Sequence, residues 1–131
     1  MITKRQIQAK VIEDLAKLRD RTCTNAAKNV LGALAVYPSM VVGYPIKSNP
    51  TALIGVNEGG HDFAYLHGRF IVDVWANDYY GERLVLDEKD PSDEAIIEIL
   101  YGDKSTWCIV GKWNPRTYSV DMEKYPVKLE G

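Results

Sequence analysis

The sequence is poor in the residues that hold metals and disulfides. Its 131 residues include two cysteines, Cys23 and Cys108, and two histidines, none of them at the spacing of metal ligands. We therefore expect neither a metal nor a cofactor. Two cysteines permit one disulfide on count alone, but a domain of this size buries enough surface to fold without one.

Long apolar runs and an excess of one charge are also lacking. No apolar segment approaches the roughly 18 residues of a membrane helix. The first residues lead into an amphipathic pattern rather than the apolar stretch of a signal peptide. The formal net charge is −2 and no basic run is present, which argues against nucleic acid or a membrane as partner. We expect a cytoplasmic protein, and the pattern leaves its oligomeric state open.

The order of the patterns predicts a single α+β domain over residues 1–131. Thr3 and Gln6 match a capping box at the start of a first helix. Thr22 can cap a second, alanine-rich helix that should begin near Cys23 and run to about Val36. Short strand-like runs follow, interrupted by a helix that opens at Asp90-Pro91. We expect two N-terminal helices packed on a mostly antiparallel sheet. The predicted strands are 40–44, 52–56, 61–66, 69–75 and 107–113, with 118–120 able to pair with the last.

Three side chains with the chemistry of thiol catalysis occur in a suggestive order. Cys23 opens the second helix, whose N-terminus favours a thiolate. His61 follows a double glycine and opens a strand, and an imidazole near a thiolate stabilises it and can protonate a leaving group. Asp73 interrupts the apolar run of the next strand, and a carboxylate behind the imidazole fixes its tautomer. The expected roles are nucleophile, base and orienter.

Two segments resemble the papain-like and transglutaminase-like cysteine enzymes. They are Thr22-Cys23-Thr24-Asn25-Ala26-Ala27 and Gly60-His61-Asp62-Phe63-Ala64-Tyr65-Leu66-His67-Gly68-Arg69-Phe70-Ile71-Val72-Asp73. The resemblance covers roughly residues 20 to 76, and it is to small bacterial members, including toxin and effector domains, more than to full-length proteases. It implies a papain-like domain with Cys23, His61 and Asp73 as its catalytic residues. The backbone N–H of Cys23 is the one oxyanion donor that the sequence assigns.

The resemblance implies a cysteine-dependent hydrolase or acyltransferase. Such an enzyme attacks an amide of a protein or peptide and forms an acyl-enzyme on Cys23. Peptidase, deamidase and transglutaminase activities share this machinery and differ in whether water or an amine enters after acylation. The alternatives are a non-catalytic binding or immunity-like protein, and a papain-like module without activity.

Other residues compete for these roles. Cys108 could be the nucleophile in the order histidine, aspartate, cysteine, although it lies in a strand pattern without a helix dipole. Asp62, Asn77 or Asp78 could each replace Asp73 as orienter, and His67 lies in a turn.

The register of the hairpin between the two strands decides whether His61 and Asp73 share a face. A two-residue turn at His67-Gly68 would pair His61 with Val74 and put Asp73 on the other face. A three-residue loop, Leu66-His67-Gly68 with left-handed glycine, would pair His61 directly with Asp73. We expect the second arrangement.

Overall fold

The structure, a computed structural model, describes residues 2–45, 47 and 49–129. Within these residues the chain forms five α-helices and six strands. The helices are α1 (Lys4–Leu18), α2 (Cys23–Leu34), α3 (Leu53–Glu58), α4 (Val74–Tyr80) and α5 (Pro91–Tyr101). The strands are β1 (Ser39–Pro45), β2 (Gly60–Leu66), β3 (Phe70–Val72), β4 (Val85–Asp87), β5 (Cys108–Asn114) and β6 (Ser119–Lys128).

The two N-terminal helices begin where their caps predict. The Thr3 hydroxyl accepts from the Gln6 amide at 3.2 Å and the Gln6 side chain accepts from Thr3, which completes the capping box. Thr22 caps α2 by accepting from the Asn25 amide at 3.2 Å. Helix α2 ends at Leu34, slightly earlier than expected, because Ala35 takes a left-handed backbone with φ 49°.

The strands form one antiparallel sheet in the order β4-β3-β2-β1-β5-β6. Helix α2 packs against β1 and β2, and α1 packs against α2. On the other face, Phe63 of β2 contacts the rings of Tyr101 and Trp107 at centroid distances of 4.7 and 5.0 Å. The predicted α+β architecture, two N-terminal helices on an antiparallel sheet, is confirmed.

Several predicted strands have different bounds or a different type. The prediction of a strand over residues 52–56 is wrong: Leu53–Glu58 form α3 and Ala52 is its N-cap. A short apolar run does not distinguish the two periods. Gly55 lies so close to the Tyr44 ring that a Cβ at this position would be 2.6 Å from it, which lets α3 approach β1. The expected strand 69–75 is also shorter, since β3 ends at Val72 and α4 follows. Strand β4 was not predicted, and β6 runs well beyond residue 120.

None of the helices in the described ranges combines the length and the apolar character needed to cross a membrane.

A buried carboxylate joins three parts of the fold. Asp93 of α5 is fully buried and accepts hydrogen bonds from Lys4 of α1 at 2.5 Å, from Arg83 at 2.6 Å and from the backbone of Asp87 at 2.9 Å. Its own burial raises the pKa of Asp93, but these donors lower it below the ordinary value. The carboxylate is therefore ionised at neutral pH and fully paired.

Asp93→Ala is expected to lower the free energy of unfolding by about 3 kcal/mol, because it leaves two cations and a backbone N–H without their acceptor. Urea unfolding at pH 7 measures this. The matched control is Glu94→Ala on the exposed side of the same helix, which should change the free energy by less than about 0.5 kcal/mol. Equal effects of the two substitutions would contradict the expectation.

Candidate active site

Cys23 is the first residue of α2, as the sequence predicts. Thr22 caps the helix, so the thiol lies at the end where backbone N–H groups are free and the helix dipole is positive. The side chain is half-buried, and its Sγ accepts from the backbone N–H of Asp62 at 3.4 Å. Both features place backbone N–H groups and positive partial charge around the sulfur atom.

His61 lies near the start of β2, directly after Gly60. Its side chain is buried, with 3% of the residue exposed. Nε2 donates to Asp73 Oδ2 at 2.6 Å. The ring also packs beside Trp75 and Phe63, at centroid distances of 5.1 and 5.9 Å. The imidazole is therefore held in one orientation by a hydrogen bond and by aromatic neighbours.

Asp73 does not lie in a strand, as the sequence suggested, but between β3 and α4. It is the N-cap of α4, and its Oδ1 accepts from the Ala76 backbone at 2.9 Å. Its Oδ2 accepts from His61 and also from the Tyr101 hydroxyl, at 2.7 Å. The carboxylate is buried, and three donors fix its two oxygens.

The hairpin between β2 and β3 has the expected parity but a different register. Leu66 pairs with Phe70 and Ala64 with Val72, so residues 67–69, not 66–68, lie outside the pairing. Both His67 and Gly68 have positive φ, at 55° and 60°, which is the pattern of a type I′ turn, and Arg69 is the extra residue. The shift moves Asp73 beyond the last pair but keeps it on the His61 side.

His61 and Asp73 each shift the pKa of the other toward the charged form. Burial by itself lowers the pKa of His61, but the charge and hydrogen bond of Asp73, together with the Cys23 thiol, raise it to about 9. Burial raises the pKa of Asp73, whereas His61, Ala76 and Tyr101 bring it below its ordinary value. The pair is therefore an imidazolium and a carboxylate at neutral pH.

The second ring nitrogen of His61 is left for the thiol. Nδ1 is buried and has no hydrogen-bond partner among the described groups. Cys23 nevertheless interacts with the ring closely enough to favour its charged form. With Nε2 bonded to Asp73, Nδ1 is the ring nitrogen that remains for an interaction with the sulfur. Cys23, His61 and Asp73 therefore form one continuous constellation.

An open cleft of about 540 Å³ gives access to the constellation. Its lining crosses four strands and includes Cys23, Gly43, His61, Asp62, Val110 and Pro126. A second cleft, of about 480 Å³, lies beside α5, and neither a cysteine nor a histidine lines it. The chemistry of the first cleft and the identity of its lining make it the candidate active site.

Cys108 and Asp62, the alternative nucleophile and the alternative orienter, differ in their contacts from Cys23 and Asp73. Cys108 lines the same cleft but lies in a strand, with Sγ 3.9 Å from the Thr106 carbonyl. Within the described residues, the hydrogen bond found for its thiol is to Thr106 and not to His61. Asp62 points to α2 rather than to His61, and its Oδ2 accepts from the Thr24 hydroxyl at 2.5 Å. Both cysteines are free.

The other candidates lie away from the site. Asn77 donates to the Glu82 carbonyl at 2.6 Å, and Asp78 lies 3.8 Å from Arg19 on the outer side of α4. His67 is exposed in the hairpin turn. No group of three or more histidine, cysteine, aspartate or glutamate side chains in the described ranges could hold a metal ion.

Sequence reasoning missed Tyr101, which lies 28 positions from Asp73 at the end of α5. Burial and the Asp73 charge raise the pKa of Tyr101 far above that of an ordinary tyrosine, so its hydroxyl stays protonated and donates. No local pattern marks such a residue, because the contact depends on how α5 packs.

Comparison with known proteins gave no match to a family model, to a curated protein or to a solved structure.

Proposed function

We propose that the chain is a papain-like cysteine hydrolase or acyltransferase that forms an acyl-enzyme on Cys23. The substrate is an amide of a protein or peptide, and the reaction is of the peptidase, deamidase or transglutaminase type. The observation that supports this proposal is that His61 bonds Asp73 at 2.6 Å and lines the same cleft as Cys23. The free state of both cysteines fits an enzyme that works in the reducing cytoplasm, as an effector- or toxin-type domain would.

The reaction begins with attack of the Cys23 thiolate on the carbonyl carbon. The electron pair of the carbonyl moves to its oxygen, which the free backbone N–H of Cys23 at the helix start can stabilise. When the carbonyl re-forms, the C–N bond breaks and the His61 proton moves to the leaving nitrogen. Water or an amine then gives its proton to His61 and attacks the thioester, which releases the acyl product and restores the thiolate.

Iodoacetamide labelling across pH tests the proposal. At pH 6, Cys23 is expected to react about tenfold faster in the wild type than in His61→Ala, because an ordinary thiol is ionised only near pH 8.5. The advantage should disappear above about pH 9, where His61 loses its proton. Mass spectrometry of the two cysteine peptides gives both rates, and Cys108 serves as the internal control.

A single rise near pH 8.5, the same in both chains, would contradict the proposal. It would favour the alternative of a non-catalytic binding or immunity-like protein.

A further inference from the structure

A carboxylate is fixed next to the candidate nucleophile. The backbone N–H of Asp62 donates to Cys23 Sγ at 3.4 Å, so this residue and the cysteine are immediate neighbours. The side chain of Asp62 bends toward α2, where Oδ2 accepts from the Thr24 hydroxyl at 2.5 Å. Thr24 directly follows Cys23 in the helix. The negative charge is therefore tied to the helix turn that carries the thiol.

The sheet has a gap that this carboxylate occupies. Gly43 of β1 is the direct partner of Asp62 in β2, and the two residues share a face. A Cβ at position 43 would lie 1.9 Å from Asp62 Oδ1. Any residue other than glycine would push the carboxylate out of its position, so the chain keeps room for it beside the cleft.

The Asp62 carboxylate does not favour the thiolate form of Cys23. A negative charge near a thiolate disfavours the thiolate, so Asp62 does not serve to activate Cys23. The charge of Asp62 does border the space that a substrate would occupy, because Asp62 and Glu58 both line the cleft. None of the described residues that line the cleft is a lysine or an arginine. A cation on the same sheet face, Lys128 opposite Cys108, is three strands from Asp62.

The cleft that Asp62 and Glu58 line also contains a buried ring nitrogen without a hydrogen-bond partner. His61 lines the same cleft, and its buried Nδ1 has no hydrogen-bond partner among the described groups. The cleft thus combines in one lining the thiol, an imidazolium whose charge is paired with Asp73, and two carboxylates.

We propose that this cleft selects a cationic substrate. The substrate would be a protein or peptide that carries a primary ammonium or guanidinium group close to the acyl group that Cys23 attacks. Asp62 pairs with that cation next to the reacting bond, and Glu58 adds a second negative charge at the rim. The inference rests on the proposed function for the identity of the attacked bond, but the charge preference of the cleft can be measured without catalysis.

Two thiol reagents of opposite charge test the preference. The cation is 2-(trimethylammonium)ethyl methanethiosulfonate and the anion is 2-sulfonatoethyl methanethiosulfonate. In each case the Cys23 thiolate attacks the sulfenyl sulfur, a mixed disulfide forms and methanesulfinate leaves. Because both reagents meet the same thiolate, the ratio of their rates, divided by the ratio for 2-mercaptoethanol, reports the charge around Cys23.

The normalised ratio is expected to exceed ten at low salt and to decrease as salt is added. Asp62→Asn, which keeps an acceptor for Thr24, should lower it at least threefold. Glu58→Gln, at an exposed position where glutamine can still accept from the Tyr80 hydroxyl, should lower it less but measurably. The control is Glu13→Gln on the exposed face of α1, which should leave the ratio unchanged.

A normalised ratio near one, or a ratio that neither cleft variant changes, would overturn the inference. The ratio is measured in chains that all retain His61, so it is read independently of the His61→Ala comparison. A high ratio without any effect of His61→Ala on iodoacetamide labelling would therefore reject the proposed function and keep the charge preference. A normalised ratio near one, together with slower iodoacetamide labelling in His61→Ala, would reject the charge preference alone.

Discussion

Asp73→Asn is expected to lower the turnover of an amide substrate by about 10⁴-fold, the size of the effect when a serine protease triad loses its aspartate in the same way. The loss follows from the role of Asp73 as N-cap of α4. The Ala76 backbone N–H requires an acceptor at the position of Oδ1, so the amide oxygen of the asparagine takes that position. The amide nitrogen then faces His61, and Nε2 has to accept. The ring proton moves to Nδ1, and the neutral imidazole cannot take a proton from the thiol.

The fold should tolerate this substitution. Asparagine caps helices as well as aspartate does, and the Tyr101 hydroxyl can accept from the amide nitrogen as readily as it donates to a carboxylate. Circular dichroism and thermal unfolding check that α4 is retained.

The measurement compares a peptidyl aminocoumarin amide with a thioester of the same acyl group. Departure of the amine needs a proton from His61 and departure of a thiolate does not, so the loss should be smaller for the thioester. Asp78→Asn, an exposed carboxylate five residues along the chain, is the matched control. A folded Asp73→Asn chain that hydrolyses the amide at the wild-type rate would exclude the assigned role.

Local patterns predicted the parts of the site that depend on local structure. The cap at Thr22 fixes the start of α2 and therefore the position of Cys23, since a side-chain cap acts within three residues. The shared face of His61 and Asp73 was predicted with a left-handed Gly68, but from a loop over residues 66–68, whereas residues 67–69 lie outside the pairing. In each case the deciding interaction lies within a few residues of the side chain that it positions.

The parts that sequence reasoning missed depend on contacts between distant elements. Residues 53–58 form a helix in which Gly55 packs directly on Tyr44 of β1, and an apolar run of five residues carries no sign of that contact. Asp73 Oδ2 accepts from the Tyr101 hydroxyl as well as from His61 because α5 packs against this part of the fold. Packing between distant elements decides these features, and the spacing of apolar residues along the sequence does not encode it.

The free energy of unfolding is expected to fall by about 3 kcal/mol between pH 6.5 and pH 9, because of His61. Burial alone would lower the pKa of this residue, but Asp73 and Cys23 raise it from 6.5 to about 9 in the folded chain. Between these values the folded state holds a proton that the unfolded state has released. The stabilisation is complete below pH 6.5 and is lost as the pH rises through 9, at about 1.4 kcal/mol for each unit of pKa difference.

Urea unfolding at half-unit steps from pH 6 to pH 10 measures the slope, and His61→Gln isolates the contribution of this one side chain. Glutamine can still donate to Asp73 but does not titrate, so the variant should lose most of the dependence while the remaining groups titrate as before. His67→Gln is the matched control, since that histidine is exposed in the hairpin turn, and its curve should follow the wild type. If wild type and His61→Gln run parallel over the whole range, the imidazolium–carboxylate pair does not stabilise the fold, and the site would have to hold His61 in its neutral form.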